Sequence, residues 1–181
     1  MNNSVFINIF RFFGLLLLQV LICSNINFMG YINPYIYLLF ILVYPTSNNR
    51  LSFLFSSFLL GLMIDVFLDS GGTHAAASVL VAYTRPLFLK FSFGAAYEYQ
   101  AIKFSNTDFT QCVVYFLSLI AIHHFILFVL VVFNQNEILL ILKQTFYSSI
   151  FTWSVFQGLF FGDHVERFIC SHHINTAAHL S

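Results

Sequence analysis

Charge is what this chain lacks. Only 8% of its 181 residues are Asp, Glu, Lys or Arg, where an ordinary soluble domain carries about 25%. So few cannot cover a water-facing surface. Seven basic and seven acidic residues cancel at neutral pH, which excludes a nucleic-acid binder held by its phosphates. Cysteine is scarce as well. Cys23, Cys112 and Cys170 lie far apart and form no CxxC pair; an odd, scattered set implies no disulfide framework, and the three read as small apolar fillers. Catalytic signatures are missing: no GxSxG, no HExxH and no Gly-rich loop ending in lysine. Asp65 and Asp69 lack the G-x-G-D or Y-D context of an intramembrane aspartyl protease. No A-x-A-like cleavage site follows the apolar run at 12–23, although Arg11 precedes it. That run therefore reads as a retained first span, not as a signal peptide.

Apolar length is what the chain has. It is 59% hydrophobic with 25 Phe, bulk suited to facing lipid. Six apolar stretches fall at about 5–23, 34–45, 51–68, 74–91, 109–133 and 137–161. A bilayer core of about 30 Å takes roughly 20 residues of helix, and a backbone in hydrocarbon must satisfy its own hydrogen bonds. The expected fold is an all-α integral membrane protein: a six-helix transmembrane bundle over residues 1–161, then a polar, His-rich, poorly ordered cytoplasmic tail over 162–181. The second stretch is short unless 28–32 join it. Pro45 and the polar cluster at 46–50 stop it. Residues 69–73 form a tight Gly-rich turn, and 134–136 another short one.

Short connections make neighbouring helices antiparallel. With the N-terminus in the cytoplasm, Arg11, Arg50, Arg85, Lys90, Lys103 and Arg167 lie at or nearer the cytoplasmic side, and only Lys143 lies toward the other. This satisfies the positive-inside rule. Both termini are then cytoplasmic, in a multi-pass membrane protein.

Polar residues at membrane depth are the functional candidates, since intramembrane ions are costly. Arg85 sits inside the fourth span beside Pro86, which frees the Ala82 carbonyl and kinks the helix. Arg85 either plugs that kink or holds a partner protein or anionic ligand. Asp65 and Asp69, four apart, share a helix face, and His74 opens the next helix. The three could bind a metal, or be a solvated carboxylate and a capping His. A Lys143–Asp65 pair would relieve two charges at once. His123 and His124 lie mid-helix and point about 100° apart. They form either a relay or metal pair, or one of them faces the interior and bonds a neighbouring helix. The tail His172, His173 and His179 are too dispersed for a structural zinc motif. Small residues let backbones approach: Ala75, Ser78 and Ala82 on the fourth helix, widened by Ala76 and Ala77; Ser57 and Gly61 on the third; Gly158 and Gly162 at the end of the sixth. The third and fourth helices are the expected tight hairpin.

The run Gly61-Leu62-Met63-Ile64-Asp65-Val66-Phe67, then Gly72-Thr73-His74-Ala75-Ala76-Ala77 and Ala82-Tyr83-Thr84-Arg85-Pro86, resembles the MreD family of rod shape-determining proteins in its Bacteroidetes form. Ile9-Phe10-Arg11-Phe12, the stretch 25–35 and the pair His123-His124 look like the same form. The likeness covers residues 5–161; the tail does not fit it. The resemblance implies a non-enzymatic scaffold without cofactor or metal. It would help position lateral-wall peptidoglycan synthesis and maintain rod shape. Implied partners are an MreC-like single-span protein, the MreB-like filament and the RodA–penicillin-binding transpeptidase pair, direct or indirect. The implied architecture is similar to the substrate-binding S components of vitamin transporters, six helices around a cavity. That makes a vitamin-like binding subunit the alternative function. On the scaffold reading, the hairpin with Asp65, His74 and Arg85 forms a polar-lined face where the partner helix docks.

Overall fold

Long runs rich in Leu, Phe and Ile favour helix in most of this chain, and helix is what forms, even across Gly14, Gly61, Pro86 and Gly158. A computed structural model describes residues 2–25, 33–45, 49–94, 108–132 and 137–160. Among them are six α-helices, one 3-10 turn at Cys23–Asn25 and no strand. We number the helices α1 (Asn2–Leu21), α2 (Leu38–Val43), α3 (Arg50–Leu68), α4 (Thr73–Phe93), α5 (Phe109–Val132) and α6 (Ile138–Phe160). The tail from 162 with its three His, Gly162, Cys170 and Arg167 lies outside the described residues, as do Lys103 and the turn at 134–136.

Helices α3 and α5 are long and apolar enough to cross a membrane. The apolar part of α1, Phe6–Leu21, is shorter. Helices α4 and α6 have 21 and 23 residues, about 32–35 Å at 1.5 Å per residue. Their average hydropathy is lowered by buried polar residues, His74, Ser78 and Arg85 on α4 and Ser148, Ser149 and Thr152 on α6, and by the exposed Lys90 and Lys143. The outward faces are another matter. Phe10, Phe55, Phe67, Leu87, Phe91 and Leu139 are all exposed, a larger apolar surface than soluble monomers tolerate. A mostly apolar core thus holds a minority of buried polar groups, and the outer surface carries bulky hydrocarbon as well.

The second expected span is corrected. Helix α2 has six residues and rises about 9 Å, too short to cross about 30 Å of hydrocarbon. It is apolar on every side, and Leu38 to Leu42 are buried throughout. A helix of that kind belongs in a core, and α2 packs against α1, α4 and α5. The segment still returns the chain. Pro34 lies against Gln19 near the end of α1, while Tyr44 lines a hollow with Asn8 and Arg11 nearer its start. Helix α3 therefore begins at the end of the molecule where α1 begins. From there α3, α4, α5 and α6 alternate in direction: His74 meets Asp65, Arg85 meets Tyr115, and Thr152 meets His124.

The α3–α4 hairpin forms as expected. Asp69 ends α3 in the left-handed region at φ 51°, donating its N–H to the Asp65 carbonyl. Gly71 and Gly72 follow with φ of 67° and 91°, where a side chain would be strained. Gly61 lets the helices touch: a Cβ there would lie 2.6 Å from the Ala75 Cα and the His74 carbonyl. Ser57, Ala75, Ala77, Ser78 and Ala82 are buried. Ala76, expected to widen that face, is instead exposed, and Gly158 looks onto open space.

Candidate functional site

Three buried polar side chains each satisfy the end of a helix on another element. A helix terminus leaves backbone groups without intrahelical partners, and in a dry interior each one costs free energy. Gln19 of α1 holds the start of α2. Its Nε2 donates to the Pro34 carbonyl at 3.2 Å, and its Oε1 accepts from the N–H groups of Ile36 at 2.8 Å and Tyr37 at 3.4 Å. Arg85 of α4 holds the other end of α2. Its Nη2 donates to the carbonyls of Tyr44 at 2.6 Å and Leu42 at 3.2 Å. Its Nε donates to the Tyr115 hydroxyl at 2.8 Å, which in turn donates to Leu42 at 3.0 Å. The Phe53 ring lies 5.1 Å below the guanidinium. A cation at a helix C-terminus complements the helix dipole. Arg85 thus binds α2 rather than the Ala82 carbonyl expected beside Pro86.

Asp65 of α3 supplies the opposite charge at the opposite pole. It accepts from the N–H groups of His74 at 3.0 Å and Ala75 at 2.8 Å, in the first turn of α4. Side-chain capping by a carboxylate is favoured there both by hydrogen bonding and by the dipole. Ser70 donates to the same carboxylate at 2.5 Å, and the His74 Nδ1–H points to it at 3.0 Å. This is the one ion pair among the described residues. The expected Lys143–Asp65 pair is not formed. Lys143 is exposed on α6, and the Asp65 oxygens are filled from the turn. Asp69 is exposed and shares no site with Asp65.

Asp, His and Ser meet here, yet not as a hydrolytic triad. In a triad the imidazole stands between carboxylate and hydroxyl, one nitrogen to each. Here Ser70 donates directly to Asp65 and touches the same His74 nitrogen, Nδ1, at 2.9 Å. The far nitrogen, Nε2, has no partner among the described residues. No three His, Cys, Asp or Glu among the described residues converge as metal ligands do.

Beyond Asp65 lies a buried imidazole–tyrosine cluster. His123 and His124 are both 0% exposed, so both face the interior, where one had been expected to. They diverge to different neighbours. His123 Nε2 meets the Tyr37 hydroxyl at 2.6 Å. His124 Nδ1 lies 2.8 Å from the Ile120 carbonyl, which only accepts, so that nitrogen carries the proton. Its Nε2 then accepts from the Thr152 hydroxyl at 3.2 Å, and Thr152 accepts from the Tyr35 N–H at 3.3 Å. The Tyr35 ring sits 5.6, 6.0 and 5.2 Å from the rings of His74, His123 and His124. Non-helical backbone at 33–37 is thus tied down by Gln19 on one side and Thr152 on the other. Such backbone is tolerated at membrane depth only where protein covers and satisfies it.

Of the sequence candidates, the structure brings Asp65 and His74 together, places Arg85 at the far end of α2 and leaves Lys143 apart. All three of the former are buried and turned to their own chain, so the polar docking face expected of them is closed inward. Gln19, Tyr35, Tyr37, Tyr115 and Thr152 were missed. Gln19 carried a signal, as the one amide in the apolar run at 12–23; the others did not. No family model, curated protein or solved structure matches the chain.

Proposed function

We propose that the chain is a multi-pass scaffold subunit of the bacterial cell-elongation machinery, seated in the cytoplasmic membrane. It works beside an MreC-like single-span protein and, directly or through it, with the MreB-like filament and the RodA–transpeptidase pair. One observation carries this reading. The residues behind the family resemblance, Gly61, Asp65, His74 and Arg85, are the ones that fasten α2, α3 and α4 to one another. Apart from the His74 Nε2, their polar groups are spent on helix ends and side chains of the same chain. A rigid body presented to partners needs that; a reaction centre needs groups left free to act.

The membrane placement rests on the apolar outer faces and on the length and hydropathy of α3 and α5. Five long helices cross, and the covered segment 33–45 makes the remaining return, so that α1 begins and α6 ends on one side. Arg11, Arg50 and Lys90 lie toward that side, which the positive-inside rule makes cytoplasmic. Partner helices meet the outward apolar faces, since Asp65, His74 and Arg85 are enclosed. No observation favours the vitamin-binding alternative. The middle of the bundle is filled by Tyr37, Ile41, Leu60 and Ile120, and the two hollows lie beside α1.

Depletion in a rod-shaped host carrying this gene tests the reading: cells should round up and regain rods when the chain is resupplied. Rods that persist through depletion, with loss of uptake of a vitamin, would replace it with the transport alternative.

A further inference from the structure

Two hollows flank the contact between α1 and α2, and they share part of their lining. The first, about 210 Å³, runs from Asn8 and Arg11 past Val43 and Leu39 to Leu15. The second, about 240 Å³, lies between Phe13, Phe12 and Ile9 on one side and Ser56 of α3 on the other. Asn8, Phe40 and Tyr44 line both, and the edge-to-face pair Phe12–Phe40, with centroids 5.6 Å apart, stands near the division between them. The polarity of each hollow is graded. Asn8 and Arg11 stand toward the end where α1 begins. Leu15, Phe13 and Leu39 lie deeper along the helices.

Arg11 is exposed on a helix whose neighbouring residues Phe10 and Phe13 are exposed as well. It takes no part in the one ion pair among the described residues, and no carboxylate lines either hollow. A guanidinium set among exposed Phe side chains needs an anion, and it matches phosphate geometry with paired N–H donors. Two apolar slots that meet at Asn8, the first of them lined by Arg11, match an amphiphile with two chains and one anionic head.

We propose that the α1–α2 face binds one diacyl phospholipid of net negative charge, its phosphate at Arg11 and Asn8 and one chain in each hollow. A zwitterionic head would bring an ammonium group to a lining that has no carboxylate to receive it. An anionic head carries no such mismatch. The proposal rests on the membrane reading above, and not on the scaffold role.

The test is lipid retention by native mass spectrometry, with the full chain purified in mild detergent and supplied with phosphatidylglycerol or phosphatidylcholine of identical chains. Retention of one phosphatidylglycerol in preference to phosphatidylcholine is expected. Arg11→Gln should weaken retention about fivefold, the worth of one basic side chain at an anionic surface. Arg11→Lys should keep most of it. Arg50→Gln should change nothing, because Arg50 sits at the same end but stacks on Tyr83 at 5.2 Å. Lyso-phosphatidylglycerol and glycerol phosphate should be retained progressively less than the diacyl lipid. Equal retention of the two diacyl lipids would overturn the proposal, and that comparison needs no variant. So would an Arg50→Gln loss equal to that of Arg11→Gln, or capture of glycerol phosphate as strong as that of the lipid. Alkaline extraction of native membranes, run in parallel, reports whether the chain is embedded at all. It thereby separates failure of this site from failure of the membrane reading.

Discussion

Asp65 and Arg85 do the same work at opposite poles, and they differ in reach. Asp65 takes its partners from Ser70, His74 and Ala75, five to ten residues on. Arg85 reaches Tyr115, Tyr44 and Leu42, which are 30, 41 and 43 residues away. The first closes a turn between two helices that apolar packing also holds together. The second fastens a six-residue helix that has no length of its own to keep it formed, since short isolated helices are marginal. The comparison teaches that buried charge is tolerated here as a helix end-piece. It also implies that the long-range piece matters more.

The largest expected effect is therefore Arg85→Leu. It leaves the Tyr44 carbonyl unsatisfied, at about 1–3 kcal/mol, leaves the Leu42 carbonyl with the Tyr115 hydroxyl alone, and removes the cation from the C-terminal end of α2, worth up to about 2 kcal/mol when buried. A loss of about 3–5 kcal/mol in unfolding free energy is expected, read from denaturant titration in detergent micelles. Arg85→Lys keeps the charge but not the fork and should recover part of that. Asp65→Ala comes next, at about 2–3 kcal/mol, from two first-turn N–H groups and Ser70 losing their acceptor. If Asp65→Ala proves as costly as Arg85→Leu, reach is not what separates the two sites.

Gly61→Ala tests the hairpin without touching charge. The added methyl meets Ala75 and His74 backbone atoms at 2.6 Å, and backbone cannot swing aside as a side chain can. Overpacking of this kind costs about 1–3 kcal/mol. Gly158→Ala, which meets nothing within 4 Å, should cost nothing in the same assay. Ala is the better helix former by about 1 kcal/mol, so a gain at 61 matching that at 158 would mean that helix propensity, not close approach, governs both.

The division between local and distant also explains what could be read from the residues. Residues 51–68, 74–91, 109–133 and 137–161 were legible as helices, and the structure has Arg50–Leu68, Thr73–Phe93, Phe109–Val132 and Ile138–Phe160. Continuous apolar runs bounded by polar turns carry that signal. The hairpin was legible too, because Gly61, Gly71, Gly72 and the Asp65–His74 neighbourhood lie within 15 residues of one another. Helix α2 was not. Its apolar run looks like a span, and only the turn at Ile36 and Tyr37 shortens it. The imidazole cluster was half visible. His123 and His124 stood out, but Tyr37 is 86 residues from His123 and Thr152 is 28 from His124. No periodicity encodes such pairings; they arise when antiparallel helices fix the register between distant segments.

Lys143 gives the smallest expected effect and the sharpest control on this argument. Sequence distance from the outer ends of the third and sixth helices made a pair with Asp65 attractive, since one contact would neutralise two ions. The geometry removes the reason. Asp65 already has His74, Ser70 and two backbone donors. Lys143 is exposed on a helix whose principal packing partner is α5 rather than α3. A long cationic stem near a helix end can reach the interface by itself. Lys143→Gln should therefore shift the unfolding free energy by no more than about 0.5 kcal/mol, as surface changes away from special features do. The double change Asp65→Lys with Lys143→Asp should be no more stable than Asp65→Lys alone. A rescue by the second substitution would show the two side chains in contact, and Asp65 would then be a link between helices α3 and α6 rather than the end-piece of α4.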